Sequence, residues 1–179
     1  HMVRDKSGLE AQFTEQGSGA SFVPASKLLD AVALLLGNGG EQSDAPSAYT
    51  QSKLGTCHRG KFPDTWVRIL RERWPQEWHD AGYVDPVVPL RLSLYGHPLS
   101  GKFWENHYKE RLLKAGFKEM MGWECMFFHP RLKLVLSVYV DDFKLAGKKE
   151  NLAKGWKLIT ESGLEVDPPT PFGDYLGCG

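Results

Sequence analysis

The chain has 179 residues, 41% of them apolar, and its 22 Lys and Arg balance its 22 Asp and Glu, so the formal charge is zero. This length suits one domain with a real core, or one domain plus a small appendage. Neutrality removes any global electrostatic argument for nucleic acid, so such binding has to come from a local groove. No apolar run is long enough to span a bilayer and no signal-peptide pattern precedes the domain, so an intracellular setting, cytoplasmic or nuclear, is expected, with no membrane partner. Cys57, Cys125 and Cys178 are odd in number and widely spaced, which fits reduced thiols better than a disulfide framework.

Residues 1–19 are polar and Gly-rich and read as an arm; residues 20–179 read as the main domain. The spacing of Ala25, Leu28, Leu29, Val32, Leu35 and Leu36 predicts a helix over 24–36, begun by Pro24 and ended by Gly37. Gly37-Asn38-Gly39-Gly40 reads as a turn and lacks the Lys-Ser/Thr of a phosphate loop. The segment that follows, through Asp44, is read as a strand ending in a bend. Residues 65–70 lean towards β with a short helix as the alternative, 71–85 read as an irregular excursion, and Pro86 and Pro89 keep 87–95 extended.

A helix is predicted over 100–115, with Phe103, Trp104, His107, Tyr108, Arg111, Leu112 and Ala115 on one stripe, Ser100 as its cap and Gly116 as its stop. A strand over 125–128 turns at Pro130 into a second, alternating strand over 132–138, followed by a third over 143–146. A last helix over 150–162 turns Leu152, Trp156 and Ile159 inward, and a Pro-rich turn leads to a short strand near Tyr175-Leu176. Mixed elements with antiparallel hairpins favour an α+β fold, an antiparallel sheet backed by helices.

Chemistry concentrates at Tyr139-Val140-Asp141-Asp142, which puts two adjacent carboxylates at a hairpin tip. Two acids there repel each other and add no core, so a cation is expected to compensate them, and a divalent metal is the simplest candidate. Taken alone, such a pair is more often a solvated turn. Asp44 is the distant acid best placed to complete a site. The six histidines show no metal spacing, and Cys57-His58 has no partner pair for zinc.

Four segments occur in a telling order: Ser43-Asp44-Ala45-Pro46-Ser47-Ala48-Tyr49, Leu94-Tyr95-Gly96-His97-Pro98-Leu99-Ser100-Gly101-Lys102-Phe103-Trp104, Tyr139-Val140-Asp141-Asp142 and Tyr175-Leu176-Gly177. In this order they resemble reverse transcriptases of Ty1/copia-type retrotransposons, from about residue 24 to the end. The resemblance implies a polymerase palm with part of the fingers at residues 1–19, lacking thumb and ribonuclease H. It implies an RNA-directed DNA polymerase acting with two Mg²⁺ ions (Mn²⁺ as a substitute) on an RNA or DNA template–primer and deoxynucleotides.

By the same resemblance Asp44 and Asp141 hold the metals together with the Ala45 carbonyl, and Asp142 is an auxiliary acid. Tyr49 gates the sugar, Tyr95 and Gly96 lie under the base, and Ser100 lies near phosphate or caps its helix. Tyr139, Tyr175, Leu176 and Gly177 contact the primer. Where that family usually reads Leu-Lys-Gln-Ser-Pro after Tyr-Gly, this chain has His97-Pro98-Leu99-Ser100-Gly101. An inactive palm-fold relic or a nucleic-acid-binding module stays open as the alternative.

Overall fold

The computed structural model describes residues 23–54 and 65–173. The arm at 1–19, Cys57, His58, Cys178 and Tyr175-Leu176-Gly177 lie outside the described residues. The elements run α1 (Val23–Ala33), β1 (Asn38–Asp44), α2 (Ala48–Gln51), β2 (Trp66–Arg68), α3 (Gln76–Asp80), β3 (Val87–Pro89), α4 (Ser100–Lys114), β4 (Lys118–Glu119), β5 (Met126–His129), β6 (Leu134–Tyr139), β7 (Asp142–Lys148), α5 (Lys149–Glu161) and β8 (Thr170–Pro171). The fold is α+β, as the element pattern predicts. No helix among the described residues is long and apolar enough to cross a membrane.

The main sheet is antiparallel, in the order β4-β5-β6-β7-β1-β8. Its centre is the β6–β7 hairpin, where alternation of side chains sends two apolar sets to opposite faces. Phe143 and Leu145 join Leu134, Leu136 and Val138 in one core with Trp104, Tyr108 and Leu112 of α4 and Leu152, Trp156 and Ile159 of α5. Ala146 instead meets Ala25 and Leu29 of α1, with Val135 and Phe172 alongside. The sheet is therefore covered on both faces.

Lys144 lies on the α1 face, buried, with its ammonium 2.5 Å from Asp30, 2.9 Å from the Ser26 hydroxyl and over the Phe172 ring at 4.5 Å. A charge buried at that depth is tolerable because it is paired and hydrogen-bonded.

Three local expectations are corrected. The helix ends at Ala33 and not at residue 36, and Leu34, Leu35 and Leu36 are exposed, Leu36 at 98%. The chain has to turn into β1 there. Gly37 adopts φ 76°, the Asn38 N–H bonds to the Leu35 carbonyl, and the Asn38 side-chain amide donates to the Val32 carbonyl at 2.9 Å. The glycine turn is also displaced, because Asn38, Gly39 and Gly40 are strand residues paired with Lys148, Gly147 and Ala146.

Those glycines serve close approach. A Cβ on Gly40 would sit 2.2 Å from the Phe172 ring, and one on Gly39 would sit 3.3 Å from Leu152. Replacing Gly40 by Ala is expected to push the Phe172 ring off both Gly40 and Lys144 and to cost about 1 kcal/mol in urea denaturation. Ser100, thirdly, is not a cap. Leu99 occupies that position with no side-chain bond, while the Ser100 hydroxyl is spent on both backbone groups of Leu94.

Between β1 and α4 the chain builds a separate two-stranded ribbon, β2 with β3. The excursion read as irregular contains a 3₁₀ turn at Arg71–Arg73 and the short α3, with Trp78 packed edge to face against both Trp74 and Tyr83. Only Val87–Pro89 of the extended stretch forms a strand; beyond it Leu92 makes a single bridge to Lys53.

Candidate active site

The antiparallel register places the acids. Asp44 is the last residue of β1 and lies opposite Asp142, the first residue of β7. Asp141 occupies the two-residue turn with Val140, between the paired residues Tyr139 and Asp142. A sequence separation of nearly a hundred residues is thus closed by one strand pairing. Of the two hairpin acids, Asp142 is the one that meets Asp44. The pairing sets the two residues side by side across the strands. Partial burial first, then the neighbouring Asp44 carboxyl and the charge of Asp141, push the Asp142 carboxyl up from 3.8 to about 6. Like charges at this range oppose each other's ionisation, so the Asp142 carboxyl keeps its proton to a higher pH than a free aspartate does.

The turn beside the pair is fixed from two sides. The Ala45 N–H donates to the Asp141 carbonyl at 2.7 Å, and the Trp104 indole N–H donates to the Val140 carbonyl at 2.5 Å. Trp104 is 1% exposed, so this donor lies wholly inside the protein. Val140 adopts φ 55°, a region a β-branched residue rarely enters. The end of β1 is fixed as well, since the Asp167 N–H donates to the Asp44 carbonyl at 2.8 Å and the Ser43 hydroxyl to the Asp167 carbonyl at 2.6 Å.

Tyr49, on α2 just past the bend after Asp44, packs against Tyr95 with ring centroids 4.5 Å apart. Partial burial first, then the Asp141 and Tyr49 charges, push the Tyr95 phenol up, so Tyr95 stands in the field of Asp141. Gly96 follows at φ 88°, with nothing within 4 Å of where a Cβ would be. The glycine is required by the backbone, and the space beside it is open. The Ser100 bonds to Leu94 hold this turn against the start of α4.

His97 ties the same turn to the β2–β3 ribbon. Its Nδ1 accepts from the Leu99 N–H at 3.2 Å, which leaves Nε2–H to donate to the Thr65 hydroxyl at 3.2 Å. Burial lowers its pKa. Asp44, Asp141, Asp142, Tyr49, Tyr95 and Tyr139 are therefore gathered at one end of the sheet and its flanking turns. Ser100 is near them, but its hydroxyl is buried and occupied.

The sequence reading did not assign Trp104 or the Ala45 N–H to the site. Trp104 stands in an apolar stripe and at the end of the Leu94–Trp104 segment, and nothing in either marks the bond its ring nitrogen makes.

The donor chemistry suits a hard cation. Among the described residues no group of three or more His, Cys, Asp or Glu side chains is arranged to hold a metal ion, Asp44, Asp141 and Asp142 included.

No family model matches the chain, and no solved structure matches it. It is 38% identical over 87 residues to the truncated transposon Ty1-A Gag-Pol polyprotein of Saccharomyces cerevisiae (strain ATCC 204508 / S288c), a match covering 48% of this chain and 7% of that relative. The Ty1-DR5 and Ty1-LR2 Gag-Pol polyproteins of the same yeast match at the same identity over 87 residues, here 5% of their length. About half of the chain is thus homologous to Ty1 retrotransposon Gag-Pol polyproteins, and the matched segment spans only a small fraction of each.

Proposed function

We propose that this domain is the palm of an RNA-directed DNA polymerase of retrotransposon type, extending a primer with deoxynucleotides on an RNA or DNA template. The observation that carries the reading is the in-register meeting of Asp44 with Asp142, with Asp141 in the adjoining turn and the Tyr49–Tyr95 pair beside it. The similarity to Gag-Pol polyproteins supports it.

Mg²⁺ is commonly held by one or two carboxylates, with water and substrate phosphates completing its shell. An open pair with a third acid at hand therefore suits it better than a closed cage. Asp44, Asp141 and Asp142 would hold two Mg²⁺ ions, or Mn²⁺ in their place, with the Ala45 carbonyl as a further oxygen donor. When bound, the metal supplies activation of the primer 3′-hydroxyl and stabilisation of the leaving pyrophosphate.

The chain's own residues bind and orient. Asp142 binds the ion in its ionised form. The Tyr49 ring, steadied by Tyr95, presents bulk where a ribose 2′-hydroxyl would lie and so selects deoxynucleotides. Tyr95 and the open space at Gly96 receive the base, and Ser100 keeps that turn in place through Leu94. Tyr139 and residues 175–177 contact the primer. The setting is intracellular, cytoplasmic or nuclear.

Primer extension on an RNA template with deoxynucleotides tests this. Mg²⁺-dependent extension is expected from the chain, and Asp44→Asn and Asp141→Asn should abolish it. Extension that survives in both variants would overturn the reading, as would a wild-type chain that neither extends a primer nor binds Mn²⁺. An inactive relic of the palm fold or a nucleic-acid-binding module is the second reading, favoured by the lack, among the described residues, of three acids arranged around one ion. It predicts at most template–primer binding, without extension.

A further inference from the structure

We propose that Trp104 is a positioning residue for the acid turn, holding Val140 in its strained conformation so that Asp142 stays opposite Asp44 with Asp141 in the adjoining turn. The consequence for metal binding rests on the polymerase reading; the tether itself rests on geometry alone. A buried indole N–H needs an acceptor. Here it takes the carbonyl of the one residue in the turn with a positive φ, at 2.5 Å. The Trp104 ring cannot drift, because it stacks on His107 at 5.8 Å and meets Tyr108 edge-on at 5.6 Å. The neighbouring carbonyl, that of Asp141, is taken by the Ala45 N–H. Both carbonyls of the turn are therefore held, one by α4 and one by the chain leaving β1.

The arrangement is repeated one helical turn further along α4. The Tyr108 hydroxyl lies 3.0 Å from the Cys125 sulfur, and Cys125 is another non-glycine residue with positive φ, at 55°. The Cys125 carbonyl in turn accepts the Val138 N–H at 2.9 Å. Trp104 and Tyr108, four residues apart on one face of the helix, thus hold strained positions on either side of the last residues of β6. Strain of this kind persists only where the surroundings over-determine it.

The test uses the full chain and two readouts, amide hydrogen exchange across residues 140–143 and Mn²⁺ affinity. Trp104→Phe keeps most of the ring and removes the donor. It is expected to speed exchange in the turn about tenfold and to weaken Mn²⁺ binding about tenfold, the worth of one ordinary hydrogen bond. Tyr108→Phe, a packing control on the same stripe, is expected to leave both unchanged. If Trp104→Phe does not fold, benzothienylalanine at position 104 replaces the indole N–H by sulfur in the same shape and gives the same comparison. Wild-type exchange and wild-type Mn²⁺ affinity in the donor-less proteins would overturn the proposal, and so would equal effects from Tyr108→Phe. If the wild-type chain binds no Mn²⁺, the polymerase reading falls, and the exchange comparison alone decides whether Trp104 holds the turn.

Discussion

Asp142→Asn is expected to make the protein more stable at pH 7 and to abolish stabilisation by Mg²⁺. In the folded chain the Asp142 carboxyl titrates at about 6, against 3.8 when nothing perturbs it. Between those values the native state keeps a proton that the unfolded state releases. Stability from this group is therefore greatest below about pH 4 and declines as the pH rises through 6. A shift of this size corresponds to at most about 3 kcal/mol. The carboxyl is only half-buried, so solvent screening reduces the expected gain in Asp142→Asn to about 1–2 kcal/mol.

The variant and the wild type should be equally stable near pH 4, diverge as the pH rises from about 4 to 6, and stay apart by a constant margin above that. A cation that binds only the folded pair offsets the same repulsion, so Mg²⁺ should raise wild-type stability at pH 7 and leave the variant unmoved. Urea denaturation at pH 4, 5.5 and 7, with and without Mg²⁺, measures all of this. A variant no more stable than wild type at pH 7 would show that the two carboxyls do not strain the fold.

Gly147→Ala is expected to cost about 3 kcal/mol or more, enough to unfold much of a marginally stable domain. Gly147 lies in the centre of the sheet, opposite Leu134 on one side and Gly39 on the other. Its φ is 141°, and a Cβ there would lie 2.2 Å from the Lys133 carbonyl oxygen and 3.1 Å from the Leu134 Cα. Those atoms are backbone, so no side-chain rotation relieves the clash. Gly122 supplies the comparison. It has φ 79° and nothing within 4 Å of a Cβ, so Gly122→Ala carries only the left-handed backbone penalty of about 1 kcal/mol. Urea midpoints of the two variants separate steric clash from conformational strain; equal losses would refute the assignment at Gly147.

The hairpin, α4 and α5 are legible because their apolar positions repeat at two or near 3.6 residues, and Trp104 and Trp156 are core as that spacing predicts. β1 is not legible in the same way. Asn38-Gly39-Gly40-Glu41-Gln42-Ser43-Asp44 has almost no β-forming side chains. It is a strand because β7 and β8 flank it and because two glycines allow Phe172 and Leu152 to press on its faces.

Leu34, Leu35 and Leu36 continue the helical pattern, but the turn into β1 overrides local preference. At the site, the order of motifs brought Asp44, Asp141 and Asp142 to attention. Which hairpin acid meets Asp44 is a matter of register, and a shift of one residue would reverse every side chain on the strand. Register is fixed by pairings that the linear order of residues does not display.

The position of β1 also bears on the timing of folding. Its partners in the sheet are β7 and β8, both far along the chain. At ribosomal speeds of about 5–20 residues per second, β1 emerges roughly 5–20 seconds before the strand that receives it. A more hydrophobic β1 would be exposed to self-association throughout that interval. The glycines and polar side chains that make this segment a poor strand on its own keep it harmless until β7 is synthesised.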